Sequence, residues 1–126
     1  MQVIMLEPDK VAYLKEIGND LASMQAEVEG YIEIIYPFED SYVGLCCNEE
    51  GKINGLPLNR AIYNNDNKDE IIDIIAGKAF ICDCSKDELQ SLSPELTEKY
   101  LKKFYHPQFF VNFNGKIVGF PVPQEP

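Results

Sequence analysis

Hydrophobic and polar positions divide this chain into short apolar runs separated by turn residues. Val3-Ile4-Met5-Leu6 is an unbroken apolar run closed by Glu7-Pro8 and reads as a buried strand. Leu21, Met24 and Val28 then fall at i, i+3 and i+7, the spacing of one helix face. Asn19 or Asp20 stands where that helix needs an N-cap, and Gly30 where it needs a left-handed stop. Tyr31 to Tyr36 is β-branched and aromatic and predicts a central strand ended by Pro37. Tyr42 to Cys47 predicts its partner, followed by a turn at Asn48-Glu49-Glu50-Gly51. Residues 51–70 read as irregular: Gly51, Gly55 and Pro57 interrupt any period, and Asn64 to Asp69 is a polar tip. Ile71 to Ile75 and Ala79 to Cys84 flank Gly77 and read as one bent strand or as two strands joined there.

Two helix starts come next. Ser85-Lys86-Asp87-Glu88 matches the capping-box pattern. Ser93 is an N-cap with Pro94 at the first helical position and Glu95 complementing the dipole. Leu92, Leu96 and Tyr100 stack at i+4 spacing, Leu101 and Phe104 widen the stripe, and Pro107 ends it. Phe109 to Phe113 and Lys116 to Phe120, joined by Asn114-Gly115, predict a hairpin with a two-residue turn. This order predicts a single α+β domain over residues 1–120. Its sheet is mixed and largely antiparallel, with two or three helices on one face, and residues 121–126 form a proline-rich C-terminal tail.

Composition narrows the function classes. At 126 residues the chain is long enough for one domain with its own core. A net charge of -10 disfavours nucleic acid and anionic membranes as direct partners. No apolar run is long enough to cross a bilayer, and Met1-Gln2-Val3-Ile4 lacks the basic start of a signal peptide, so a cytoplasmic protein is expected. The four cysteines, Cys46-Cys47 and Cys82-x-Cys84, do not have the spacing of a secreted disulfide framework or of a zinc site. They read as small buried side chains. His106, the sole histidine, lies just before Pro107 and reads as a helix C-cap rather than a base. No serine elbow, P-loop or dinucleotide turn is present. Catalytic residues, a metal and a cofactor are therefore not expected.

Arg60 stands apart, as the only arginine among eleven lysine and arginine residues. An arginine in a lysine-rich chain points to a planar, bidentate contact, either with an internal carboxylate such as Glu33, Glu49 or Glu50 or with an anionic ligand. Tyr31, Glu33, Lys52, Asn59 and Arg60 make up the candidate binding site.

These same segments carry a resemblance. Glu7-Pro8, Leu21 with Gln25, Gly30-Tyr31-Ile32-Glu33, Asn48-Glu49-Glu50-Gly51-Lys52, Leu56-Pro57-Leu58-Asn59-Arg60 and Ile75-Ala76-Gly77 resemble domain-of-unknown-function family 3846, over about residues 1 to 85. The resemblance implies a small uncharacterised protein of Firmicutes, their phages and conjugative elements, and implies no reaction. The expected function is a non-catalytic binding or interaction module of a mobile genetic element, acting on a host or element-encoded protein partner. The alternatives are a binder of a small anionic ligand at Lys52, Asn59 and Arg60, and a small enzyme of unrecognised type.

Overall fold

The computed structural model describes residues 1–123. In chain order the elements are β1 (Gln2–Leu6), β2 (Tyr13–Glu16), α1 (Leu21–Val28), β3 (Ile32–Ile35), β4 (Val43–Asn48), β5 (Leu58–Tyr63), β6 (Ile71–Ala76), β7 (Ala79–Asp83), α2 (Pro94–Lys103), β8 (Gln108–Phe113) and β9 (Lys116–Pro121). Five strands form one antiparallel sheet in the order β2-β1-β7-β4-β3. β5–β6 and β8–β9 are separate antiparallel two-stranded sheets. The chain is a small α+β domain.

Both faces of the five-stranded sheet are covered over β1, β7 and β4, because these central strands are apolar at nearly every position. On one face Val3, Met5, Cys46, Phe80 and Cys82 meet Met24 and Val28 of α1. On the other, Ile4, Leu6, Leu45, Cys47, Ala79 and Ile81 meet Tyr100 and Phe104 from the end of α2, together with Ile62 of β5 and Ile75 of β6. The helices thus lie on opposite faces, not on one face as expected. Periodicity shows that a helix has an apolar stripe but not which side of the sheet it covers.

Several expectations hold. Asp20 caps α1, its carboxylate accepting from the Ser23 N–H at 3.1 Å. Ser93 caps α2, its hydroxyl accepting from the Leu96 N–H, with Pro94 in the first turn. Asn114 and Gly115, at φ 51° and 90°, form the two-residue turn of the β8–β9 hairpin. Gly77 joins two strands at φ 84°, and the strands diverge into different sheets.

Others are corrected. The left-handed stop of α1 is Glu29, at φ 59°, while Gly30 leaves room for the Asn48 amide that caps the same helix end. Leu21 is exposed. β3 is an edge strand, not a central one, and β7 holds the centre of the sheet. Residues 85–88 form a bend, not a helix start. Residues 51–70 contain β5, so Asn59 and Arg60 lie on a strand. β2 is a short polar edge strand that periodicity did not mark. Of the proline-rich tail, Pro121 closes β9, and residues 124–126 lie outside the described residues.

Candidate functional site

Asn59 and Arg60 are neighbours on β5, and neighbours on a strand ordinarily point to opposite faces. Here the register shifts between Leu58 and Arg60, leaving Asn59 without a ladder partner. Such a bulge lets both side chains enter the interior. Asn59 is fully buried and Arg60 only 1% exposed. The Asn59 amide donates to the carbonyls of Leu6 and Gly77, each at 2.8 Å. Its oxygen accepts from the Arg60 guanidinium at 2.9 Å. The same guanidinium donates to the carbonyls of Phe104 (3.0 Å), Glu7 (3.2 Å) and Lys10 (2.7 Å).

This pair therefore ties β5 to the end of β1, the loop after it, the β6–β7 junction and the C-terminus of α2. Burial pushes the Arg60 pKa down to about 10. Carbonyl dipoles, including the negative end of α2, offset that cost in place of a carboxylate. The side chain that donates to the Phe104 carbonyl at the end of α2 is thus Arg60, not His106. His106 is exposed and packs edge-on against the ring of Tyr105.

A second network borders this one. The Tyr13 hydroxyl donates to Glu7, and Lys10 and Lys78 lie 3.7 Å and 3.6 Å from the same carboxylate. Burial alone would raise the Glu7 pKa, but the Tyr13 hydrogen bond and the two lysines together hold it below the ordinary carboxylate value. Burial and Glu7 push Tyr13 up to about 12. The sequence marked Glu7-Pro8 only as the end of a strand. Tyr13 was missed because it lies on β2, the edge strand that periodicity did not mark, and Lys78 because it is far from Glu7 along the chain.

Glu33 and Lys52 meet elsewhere. Glu33 pairs with Cys47 in the β3–β4 register and so faces the α2 side of the sheet. It lines a cleft of about 280 Å³ with Ile35, Cys47, Glu49, Gly51, Lys52 and β6 residues from Asp73 to Ala76. Lys52 is ion-paired to Asp73. Gly51 passes so close to the Ala76 carbonyl that a Cβ there would collide with it, which sets the loop against the end of β6. A wider concavity of about 710 Å³ continues along β6, lined by Leu58, Ile71, Ile72, Ile74, Lys116 and Ile117 among others. Neither hollow is lined by Asn59 or Arg60. Tyr31, 68% exposed, lines neither hollow. The five candidate residues thus separate into a buried structural pair, two residues of a surface cleft and one exposed ring.

The cysteines divide between the sheet faces, Cys46 with Cys82 on the α1 side and Cys47 on the other. Burial pushes Cys46 up to about 12 and Cys47 up to about 11, so both thiols stay protonated at neutral pH. The Sγ atoms of Cys82 and Cys84 are 3.9 Å apart.

The profile of a family described as Domain of unknown function (DUF3846) matches residues 1–105 of the chain. That span ends just before the β8–β9 hairpin. No curated protein and no solved structure matches. No described helix is long and apolar enough to cross a membrane.

Proposed function

This chain belongs to the DUF3846 family, and on that premise we propose that it is a non-catalytic protein-interaction module of a mobile genetic element. It acts in the cytoplasm on a host or element-encoded partner. The family resemblance supports the mobile-element setting. The observation that carries the interaction reading is the open concavity along β6. Ile72, 53% exposed, lies there with the exposed side chains of Leu58 and Ile117, and Lys52, Asp69, Glu70, Asp73 and Lys116 rim it. A grouped apolar surface with a charged rim is the ordinary form of a protein contact site. A small anionic ligand at Lys52, Asn59 and Arg60 has less support, because Asn59 and Arg60 direct their donors at backbone carbonyls.

The test is affinity capture from the native host with the whole chain and with an Ile72→Lys variant of equal melting temperature. Proteins and small molecules are identified together by mass spectrometry. A protein retained by the natural chain and lost with Ile72→Lys is expected. Equal capture by both chains, or retention of a small anion alone, would overturn the reading.

A further inference from the structure

The layer of β-structure over the α2 side of the five-stranded sheet stops short of its last strand. β5 and β6 contribute Ile62 and Ile75 to the core on that side, and β6 packs against β4. β3, the neighbour of β4 at the edge of the sheet, has no such cover: Glu33 is exposed and Ile35 half-buried above it. β6 is itself an edge strand, since among the described residues only β5 pairs with it. The Ile74 N–H on β6 is held by the carboxylate of Asp73 at 2.8 Å. An open strand edge thus flanks an uncovered strip of sheet, and the cleft of about 280 Å³ is the space between them. Unpaired strand edges are the template for strand addition.

The charges of the cleft select the occupant. Glu33, Glu49 and Asp73 line it against the single cation Lys52, and the wider concavity adds Asp69 and Glu70 against Lys116. The whole chain carries -10.

We propose that an extended basic segment of a partner protein, alternating cationic and apolar residues, adds to β6 as a third strand and covers the exposed strip of β3. This rests on the interaction reading above and specifies its mode. The incoming backbone takes over the edge of β6. Its cations, on the face turned toward β3, reach Glu33, Glu49 and Asp73, with their aliphatic stems over Ile35, and its apolar residues extend the opposite face of β6 beside Ile74. Lys52, already paired to Asp73, marks the end of the cleft nearest the Gly51 turn.

The probe is a fluorescent seven-residue peptide alternating lysine and valine, titrated by anisotropy against the whole chain at about 0.15 M salt, where weak long-range attraction is screened. Binding should weaken at least about tenfold with Glu33→Lys. It should change less than about twofold with Glu98→Lys, which makes the same charge change on the exposed side of α2. Two further peptides carry N-methyl groups on the lysine amides or on the valine amides. One of the two should lose at least about tenfold in affinity, because strand addition uses the amides of one edge. Absence of binding, equal loss in the two charge variants, or full retention by both methylated peptides would overturn the proposal. So would a dimer in sedimentation that Glu33→Lys dissolves, since the occupant would then be a second copy of the chain. If the peptide results fail while Ile72-dependent capture persists, the interaction reading stands and only the strand-addition mode falls.

Discussion

Arg60 joins more separate segments than any other side chain in the buried network, because one rigid fork meets three backbone carbonyls and an amide oxygen. Lysine cannot reproduce that geometry, having a single compact ammonium. Arg60→Lys should therefore lower stability by roughly 2 to 3 kcal/mol, from buried acceptors left without donors. Urea unfolding followed by circular dichroism should show a lower midpoint with an unchanged slope. An unchanged midpoint would mean that the carbonyls find other partners. Glu7 gives a pH signature at the same scale. Its carboxyl is held below its unfolded value, so the unfolded chain binds the proton more readily. That contribution is complete above the unfolded pKa and disappears as pH falls through the lowered folded value. Between about pH 5 and about pH 3, the melting temperature of Glu7→Gln should fall less steeply than that of the natural chain. Parallel curves would remove Glu7 from the acid response. The oddity of a lone arginine was legible in the sequence. Its partners were not, because backbone carbonyls have no residue identity to read.

Among the elements, α2 was the most legible. A Ser-Pro-Glu start, an i+4 apolar stripe and a proline stop are local signals, and the helix appears over Pro94–Lys103. Ser93→Ala should cost about 1 kcal/mol, since it removes an acceptor for the first-turn N–H groups. It should appear as a lower thermal midpoint, partly restored by Ser93→Asp. No recovery with aspartate would place the role of Ser93 outside capping. The hairpin β8–β9 was equally readable, because Asn-Gly adopts the left-handed angles its turn requires. β5 was not readable. Its bulge and buried polar pair erase the alternation that marks a strand, and Gly55 and Pro57 just before it imitate a loop. The capping-box match at Ser85 failed for the opposite reason. The chain there returns to the sheet, where Gln90 bridges Asp83, so no helix begins.

At the scale of the molecule, packing is uneven. β1, β4 and β7 are buried on both faces, whereas β8–β9 keeps Phe109, Phe113, Ile117 and Phe120 exposed and touches β5 through Gln108. Native-state hydrogen exchange should therefore be slowest in β1, β4 and β7 and much faster in β8–β9, which opens without unfolding the main sheet. Uniform protection across all nine strands would show a single cooperative unit instead. The net charge of -10 belongs to this scale too. It bears on which partners approach the surface, not on how the chain folds.

The sequence by itself determined what depends on neighbours along the chain. That covers the caps at Asp20 and Ser93, the turn at Asn114-Gly115, the apolar runs of β1, β4 and β7, and the α+β class they imply. Only the tertiary structure decided what depends on residues far apart. It placed the helices on opposite faces, moved β3 to the edge, sent β6 and β7 to different sheets, and separated Arg60 from Lys52. The physical reason is that hydrophobic periodicity encodes which face of an element is buried, while the identity of the burying partner comes from non-local packing. A buried guanidinium and an open strand edge are likewise invisible locally. One is satisfied by carbonyls from distant segments, and the other is defined by a neighbour that is missing.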